Sequence, residues 1–364
     1  MCECVGMRAL IRSWPLAVPL FALAVLALTW GIELPVVLVI LVALALAGAV
    51  STAVHHAEVV AHRIGEPFGS LVLAVAVTVI EVALIVTLMV SGGPETASLA
   101  RDTVFAAVMI TCNGIVGIAL LVGATRHRVM VFNAEGAGAA LATVVTLATL
   151  SMVLPTFTTT TPGPQFSSGQ LIFAALASLA LYVLFVFTQT KEHRDFFLPV
   201  GVSAEDDHAP PPTVRAAWIS LGMLLVSLVA VVGLAKVESP AIEAGVAAAG
   251  FPQSFVGVVI ALLVLLPETF AAVRAAARDR MQTSLNLGFG SAMASIGLTI
   301  PAIAVASIWL DGPLLLGLGA TQMVLLALTF VVAILTVVPG RATRLQGGVH
   351  LALLAAFLFL AISP

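Results

Sequence analysis

The glutamate at position 81 lies inside an apolar segment long enough to cross a lipid bilayer, and no other residue constrains the fold as strongly. The segment runs from Pro67 to about Val90, and Glu81 is its one charged side chain. A charge near the middle of a bilayer costs at least about 2.5 kcal/mol, so a residue of this kind indicates a binding or relay site with a partner nearby. Glu81 therefore predicts a membrane protein with a polar site near mid-bilayer.

A second apolar segment repeats this arrangement. A shift of 187 positions superposes Phe68 on Phe255 and Glu81 on Glu268. Each glutamate lies 13 residues after its phenylalanine, which is about 20 Å along a helix. Of the eighteen acidic residues, these two are the ones we place deep inside spans, and we predict that they bind the same transported cation or proton.

The composition supports a polytopic membrane protein. Hydrophobic residues make up 61% of the 364 residues, charged residues 9%, and the mean hydropathy is +1.17. The net charge is −3 and the chain has no basic run, so no nucleic-acid partner is expected. The three cysteines indicate no disulfide framework. The lipid bilayer is the expected partner.

Apolar runs of spanning length predict eleven transmembrane helices and an all-α fold. The predicted spans are Trp14–Trp30, Pro35–Thr52, Pro67–Val90, Thr103–Gly123, Gly136–Val153, Leu171–Thr188, Ala216–Ala235, Gln253–Val273, Leu285–Ile308, Pro313–Val338 and Val349–Ile362. Residues 1–34 form a tail and an extra first helix, residues 35–190 and 215–364 form two five-helix repeats, and residues 191–214 form a polar cytoplasmic linker. The linker contains the acidic triplet Glu205, Asp206 and Asp207.

The distribution of basic residues predicts the orientation of these spans, because cytoplasmic connections collect lysine and arginine. With the N-terminus in the cytoplasm, thirteen of the fifteen basic residues fall on the cytoplasmic side, and only Arg101 and Lys236 fall outside. We therefore predict a multi-pass protein of the cell's inner membrane with its C-terminus outside. The two glutamate segments then run in opposite directions, which is an inverted repeat with a binding site expected near the midplane.

A short helix is predicted after the first span of each repeat, polar in the first repeat and made mostly of small residues in the second. One covers His55–Glu66 and the other Ser239–Gly250, and both are expected to rest at the membrane surface. Their acids, Glu58 and Glu243, are candidates for a vestibule that captures cations, and a solvated surface role is the alternative. The histidines His55, His56 and His62 are interpreted as surface residues beside lipid headgroups.

Two buried carboxylates must hold protons or a metal ion, so the two ligands are expected to compete. Ca²⁺ takes six to eight oxygens, and two carboxylates match its charge. Asn113 in the fourth span and Ser291 in the ninth are candidate further ligands, with hydrogen bonding between packed helices as the alternative. Pro267, directly before Glu268, cannot donate a backbone hydrogen bond and is expected to disrupt the helical hydrogen-bond ladder one turn earlier and free carbonyls for a ligand.

Three segments carry a resemblance to a known family: HAEVVAHRIGEPFGSLVLAVAVTVIEVAL, FVGVVIALLVLLPE and NLGFGSAMASIGLTIP. They resemble the proton-coupled calcium exchangers of the calcium:cation antiporter superfamily, and most of all the bacterial ChaA-type subgroup. The resemblance implies exchange of Ca²⁺, or of Na⁺ or K⁺, for protons at Glu81 and Glu268. The superfamily's Gly-Asn upstream of each glutamate is replaced here by Val77-Thr78 and Val264-Leu265.

Other functions compete with calcium/proton antiport. An antiporter for Na⁺ or K⁺ without significant calcium transport is the first alternative. The second is a channel in which the paired acids select cations without proton coupling. An intramembrane hydrolase would need convergent ligands or a nucleophile, and the chain has no HExxH motif. The expected protein is therefore a transporter rather than an enzyme, with no cofactor besides its transported ions.

Overall fold

The computed structural model describes residues 2–32, 34–65, 68–200, 211–310 and 312–364. Within these residues the chain forms eleven long helices. They are α1 (Cys2–Thr29), α2 (Val36–Ile64), α3 (Phe68–Gly92), α4 (Leu99–His127), α5 (Ala134–Thr156), α6 (Ser168–Glu192), α7 (Val214–Ala248), α8 (Phe255–Ala276), α9 (Met281–Ala306), α10 (Ala320–Val337) and α11 (Arg344–Ile362). Ten are long and apolar enough to cross a membrane, and α1 adds the shorter apolar stretch Trp14–Thr29. The predicted all-α membrane fold is confirmed; the acidic triplet at 205–207 lies outside the described residues.

Several of these helices contain local irregularities. Three π-helical turns occur, at Ile110–Ile115 in α4, at Thr149–Val153 in α5 and at Thr188–Glu192 in α6. A 3₁₀ turn, Leu154–Thr156, ends α5, and α9 is interrupted between Gly297 and Thr299. Further 3₁₀ turns lie at Gly93–Thr96 and Arg194–Phe197. Two short strands, β1 (Met130–Val131) and β2 (Arg341–Ala342), pair antiparallel.

The two predicted surface helices are not separate helices. The segment predicted at His55–Glu66 is the second half of α2, which continues unbroken to Ile64, and the segment predicted at Ser239–Gly250 lies mostly within α7. At 29 and 35 residues, α2 and α7 are about 43 and 52 Å long, well beyond a hydrocarbon core of about 30 Å. The change from apolar to polar residues therefore marks a change of surroundings along one helix.

The helices form two compact units, which differ from the sequence halves. Unit 1 comprises Met1–Ser91 and Ala209–Gly245, and unit 2 comprises Gly92–His208 and Val246–Pro364. Helices α1, α2, α3 and nearly all of α7 thus belong to unit 1, and the remaining helices belong to unit 2. Each predicted repeat, 35–190 and 215–364, contributes helices to both units.

In unit 1, α1 packs along α2, and a histidine joins the two helices. Pro19 lies inside α1 and has no N–H, so it cannot donate the helical hydrogen bond to the carbonyl of Pro15. His56 of α2 fills this place: its Nε2 donates to the Pro15 oxygen at 2.8 Å. The side chain is 2% exposed. The interpretation of His56 as a surface residue is therefore wrong, whereas His62 is exposed as predicted.

In unit 2, hydrogen bonds join connections that lie on the same side of the helices. On one side, β1 of the α4–α5 connection pairs with β2 of the α10–α11 connection. Asn133, next to β1, donates its backbone N–H to Gln282 at the start of α9 at 2.8 Å. Asn286 of α9 donates to the carbonyl of Phe197, in the α6–α7 connection, at 2.7 Å.

The intervening connections meet on the opposite side. Leu315 of the α9–α10 connection donates to the carbonyl of Ala97, before α4, at 3.1 Å. Gly317 donates to the carbonyl of Pro164, between α5 and α6, at 2.9 Å. Successive connections of unit 2 therefore alternate between the two sides, so each helix runs from one side to the other. This is the alternation that the distribution of basic residues predicted. Which side faces the cytoplasm stays a prediction.

Arg101, an exception to the predicted segregation of basic residues, has a structural partner. Its guanidinium contacts Asp102 Oδ1 at 2.8 Å and donates to the carbonyl of Gly317 at 3.2 Å. The pair borders an open cavity of about 290 Å³ on this side of unit 2. Arg101 therefore neutralises a buried carboxylate and fastens the α9–α10 connection, which accounts for a basic residue on the sparsely charged side.

Candidate cation and proton site

The two repeat glutamates occupy equivalent positions on their helices. Helix α3 begins at Phe68 and α8 begins at Phe255, the two residues that the repeat superposes. Glu81 is 2% exposed and belongs to unit 1, whereas Glu268 is partly exposed and belongs to unit 2. Each acid lies 13 residues after the first residue of its helix, which is about 20 Å; a shared site near the midplane stays a prediction.

Helix α8 stays continuous through Pro267, the residue directly before Glu268. Proline still cannot donate to the carbonyl four residues earlier, which belongs to Leu263. The next hydroxyl along, Thr269 Oγ1, donates to the carbonyl of Leu265 at 2.7 Å. Pro267 therefore removes one helical donor within a helix that continues past it, and a role for the Leu263 carbonyl as a ligand stays a prediction.

Asn113 lies in the π-helical turn of α4 and is fully buried. A π-helical turn inserts an extra residue into the helix and often marks a functional site. This turn packs against α8, α9, α10 and α11. Unit 2 therefore brings together the elements that carry Asn113, Ser291 and Glu268.

The side chain of Asn113 is held by two other helices. Its Nδ2 donates to Thr329 Oγ1 of α10 at 2.9 Å, and its Oδ1 lies 3.2 Å from Nδ1 of His350 in α11. The other ring nitrogen of His350 lies 3.1 Å from Thr336 Oγ1 of α10. Sequence reasoning missed both His350 and Thr329. A histidine inside an apolar span was the available signal for His350.

Ser291 lies on α9, which packs against α8 and against the π-helical turn of α4. Its side chain is partly exposed, while Ser295, one turn later, is 5% exposed. Near the start of α9, Ser284 Oγ donates to the carbonyl of Ala272 on α8 at 2.5 Å. The α8–α9 packing thus holds Ser291 on the helix that adjoins Glu268.

The candidate vestibule acids have different surroundings. Glu58 is exposed on α2, and Glu243 on α7 is partly exposed and accepts a hydrogen bond from Ser239 at 3.2 Å. A third acid, Glu238 on α7, is only 4% exposed, and its Oε2 has no hydrogen-bond partner in the described part of the chain. From the sequence, only Glu81 and Glu268 are predicted to lie deep inside membrane spans. Glu238 is a further buried acid that was not predicted.

Among the described residues, no group of three or more His, Cys, Asp or Glu side chains is arranged to hold a metal ion. The oxygen donors in and around the repeat helices are carboxylates, hydroxyls, an amide and backbone carbonyls. Oxygen donors of this kind suit hard cations such as Ca²⁺.

Comparison with known proteins finds that this chain is similar to ion exchangers. The family model "Sodium/calcium exchanger protein" matches residues 34–191 and 219–363. The chain is 46% identical to the y4hA protein of Sinorhizobium fredii, over 97% of both chains. It is 36% identical to the sodium-potassium/proton antiporter ChaA of Escherichia coli, over 95% of both chains.

A more distant relative and two solved structures agree with this. The Ca²⁺/H⁺ antiporter of Aphanothece halophytica is 24% identical over 81% of this chain and 82% of its own. The structure of native YfkE superposes with a TM-score of 0.75 at 15% identity, covering 96% of this chain and 100% of that one. The H⁺/Ca²⁺ exchanger CAX superposes with a TM-score of 0.69 at 16% identity, covering 97% and 88%. At these identities the structures establish the fold.

Proposed function

The chain belongs to the sodium/calcium exchanger protein family, and we propose that it exchanges Ca²⁺ for protons at a site built on Glu81 and Glu268. Cation/proton antiport is the activity of this chain, and Ca²⁺ as the cation is the proposal. The observation that carries it is the occurrence of two acids at the same distance along α3 and α8, each 13 residues after the first residue of its helix. Two carboxylates balance the charge of one divalent ion.

Alternating access follows from the same pair of acids. A loaded site must be close to neutral before it crosses the membrane interior, because an uncompensated charge there is costly. Two protons or one Ca²⁺ each neutralise two carboxylates. In this proposal the transporter reorients when it carries either load, and it stays in place when the site is empty. Asn113, Ser291, hydroxyls and carbonyls complete the oxygen shell that Ca²⁺ requires.

A monovalent cation is the second candidate, and one observation favours it. Val77-Thr78 and Val264-Leu265 stand where the resembling exchangers carry an amide before each glutamate, which lowers the number of oxygen donors. The E. coli relative, at 36% identity, is named as a sodium-potassium/proton antiporter. Ca²⁺ takes six to eight oxygen ligands, so the missing amides count against calcium.

Proteoliposomes with an imposed pH gradient test the proposal. We expect uphill Ca²⁺ uptake driven by proton release, with an apparent Ca²⁺ affinity that falls as the pH falls because protons occupy the same carboxylates. Na⁺ and K⁺ are measured under the same gradient, and proton-driven uptake of these ions without Ca²⁺ uptake would establish the second candidate. Downhill cation flux that no proton gradient can drive uphill would indicate a channel.

Two variants locate the site. Glu81→Gln and Glu268→Gln each mimic a permanently protonated acid and remove one charge. We expect each to abolish exchange while the protein remains monodisperse. Glu135→Gln is the matched control, because Glu135 is exposed in the first turn of α5. Near-normal exchange by either folded variant would remove that glutamate from the mechanism.

A further inference from the structure

A continuous chain of buried hydrogen bonds passes through the π-helical turn of α4. It runs from Thr336 to His350, from His350 to Asn113 and from Asn113 to Thr329, over distances of 3.1, 3.2 and 2.9 Å. Asn113, Thr329 and His350 are 0% exposed and Thr336 is 3% exposed. An ionisable residue inside a transmembrane helix indicates a functional role by default. The cation site as described so far does not use His350.

The chemistry of the amide sets the direction of this chain. Asn113 Oδ1 can only accept, so Nδ1 of His350 carries the ring proton and donates to it. The neutral imidazole then has an acceptor at Nε2, and the hydroxyl of Thr336 donates to that nitrogen. At the other end, Asn113 Nδ2 donates to Thr329, whose hydroxyl donates to Met109 Sδ at 3.5 Å. Each member therefore has a defined partner.

In the tautomer with its proton on Nδ1, His350 is the member that distinguishes the two ends of the amide. The hydroxyls of Thr329 and Thr336 can each donate or accept, so neither hydroxyl alone distinguishes the oxygen of Asn113 from its nitrogen. A ring with its proton on Nδ1 accepts only the oxygen as a neighbour. Loss of the imidazole would let the amide rotate or exchange its two ends, because its O and N are nearly the same size.

We propose that His350 is a positioning residue for the cation site, holding the Asn113 amide so that its oxygen is presented in one fixed direction. This proposal rests on the function proposed above, in which Asn113 supplies an oxygen. A carbonyl oxygen has two lone pairs. His350 takes one and thereby fixes the direction of the other, which is the one offered to a cation. Ligand groups held by neighbouring hydrogen bonds bind more tightly than groups that must first be ordered.

The location of the turn supports this role. The same π-helical turn packs against α8, which carries Glu268, and against α9, which carries Ser291. Gly117, one turn after Asn113, lies so close to α11 that an added Cβ would meet His350 Cβ at 3.1 Å. The imidazole is therefore held against α4 by backbone packing as well as by its hydrogen bonds.

Three substitutions of His350 separate positioning from packing. His350→Asn places a donor near the former Nδ1 and can still bond the Asn113 oxygen. His350→Gln places its polar end near the former Nε2 and keeps only the contact with Thr336. His350→Leu removes the hydrogen bonds to Asn113 and Thr336. Each is measured for cation/proton exchange in proteoliposomes, using Ca²⁺, Na⁺ and K⁺ separately, together with its monodispersity. His62→Leu, an exposed histidine on α2, is the control.

We expect His350→Asn to keep the apparent KM for the cation within about twofold of the unmodified protein. His350→Gln and His350→Leu should raise it about tenfold, the scale of one lost hydrogen bond, with the maximal rate within about twofold. If His350→Leu does not fold, the test is the difference in apparent KM between His350→Asn and His350→Gln. Thr329→Val provides a second route, because it frees the other end of the amide and should also raise the apparent KM.

Three results would overturn the proposal. They are an unchanged apparent KM in His350→Gln, identical behaviour of the Asn and Gln variants, and a loss of maximal rate without a change in apparent KM. The glutamate variants measured in parallel separate this outcome from failure of the proposed function. If Glu81→Gln and Glu268→Gln abolish exchange while the His350 variants behave normally, only the positioning role is wrong. Exchange that persists in both glutamate variants would refute the paired-carboxylate site itself.

Discussion

Replacing His56 by leucine should destabilise the packing of α1 on α2. The size of the loss should depend on Pro19, whose missing N–H leaves the Pro15 carbonyl to His56. The Nε2 of His56 donates to the carbonyl of Pro15 at 2.8 Å, a carbonyl that Pro19 cannot serve. Leucine fills a similar volume and removes the donor. An acceptor left unsatisfied away from water costs about 1 to 3 kcal/mol.

A second substitution restores the missing donor from within α1. Pro19→Ala supplies a backbone N–H that can make the regular helical hydrogen bond to the Pro15 carbonyl. In this background, His56→Leu should cost well under 1 kcal/mol, since the carbonyl keeps a partner. The two changes should therefore show a coupling energy of about 1 to 2 kcal/mol in a double-mutant cycle.

Thermal inactivation of the detergent-solubilised protein measures this cycle. Samples are heated to graded temperatures, and the fraction that remains monodisperse on size exclusion gives an operational midpoint. We expect the midpoint of His56→Leu to fall by a few degrees, and most of this fall to be absent in the Pro19→Ala background. His62→Leu is the control for loss of an exposed histidine. An equal fall in both backgrounds would refute the role assigned to the Pro15 carbonyl.

Two further predictions concern packing and topology. Gly257→Ala should destabilise the protein by about 1 to 3 kcal/mol, because an added Cβ would meet the backbone nitrogen of Thr103 at 2.7 Å. The control Gly138→Ala, whose added Cβ has nothing within 4 Å, should be neutral or slightly stabilising. Similar inactivation midpoints for the two variants would contradict this close approach of α8 to α4. Single cysteines at Thr159 and Ala204, in a background without the three native cysteines, should label from outside and from inside, respectively; labelling of both from one side would refute the inverted repeat.

The spans and their alternation could be predicted because they depend on local and additive properties. Apolar length and the positions of arginines predicted eleven helices, and the hydrogen bonds between connections of unit 2 agree with the alternation. The spans predicted to begin at Pro67 and Gln253 correspond to α3 (Phe68–Gly92) and α8 (Phe255–Ala276). These features need no knowledge of which helix packs on which.

The errors arose where polarity was read as a change of secondary structure. No proline or glycine interrupts the chain between Ser51 and Ile64, so α2 continues although its residues become polar. Helix α7 continues through Pro240 because the loss of one helical hydrogen bond can be offset by packing elsewhere. Composition reports the surroundings of a helix more directly than it reports where the helix ends.

Contacts between residues far apart in sequence could not be predicted. The bonds of Asn113 with Thr329 and His350 join three helices across more than two hundred residues, and no periodicity signals them. The same holds for His56, whose partner is a carbonyl freed by a proline in another helix. A single sequence shows which side chains could donate or accept, and only the fold shows which ones meet.

The last prediction compares two buried acids, one in an ion pair and one with an oxygen that has no hydrogen-bond partner among the described residues. Asp102 is 4% exposed and contacts the Arg101 guanidinium at 2.8 Å, while Glu238 is also 4% exposed and its Oε2 has no hydrogen-bond partner among the described residues. Removing one partner of a buried ion pair leaves an uncompensated charge, which can cost up to about 3 to 5 kcal/mol. Arg101 keeps some exposure to solvent, so Asp102→Asn should cost less, about 1 to 3 kcal/mol.

Glu238→Gln should have the opposite sign, because a neutral amide costs less to bury than a carboxylate and no charged partner is lost. We expect its inactivation midpoint to equal or exceed that of the unmodified protein, while Asp102→Asn lowers it by several degrees. Glu243→Gln is the matched control on α7, since Glu243 is partly exposed and keeps Ser239 as a hydrogen-bond partner. A clear fall in the midpoint of Glu238→Gln would show that this carboxylate is stabilised in its ionised form by a cationic partner or a bound cation. The stability of the fold would then depend on an ion at α7, as well as on the apolar packing of its helices.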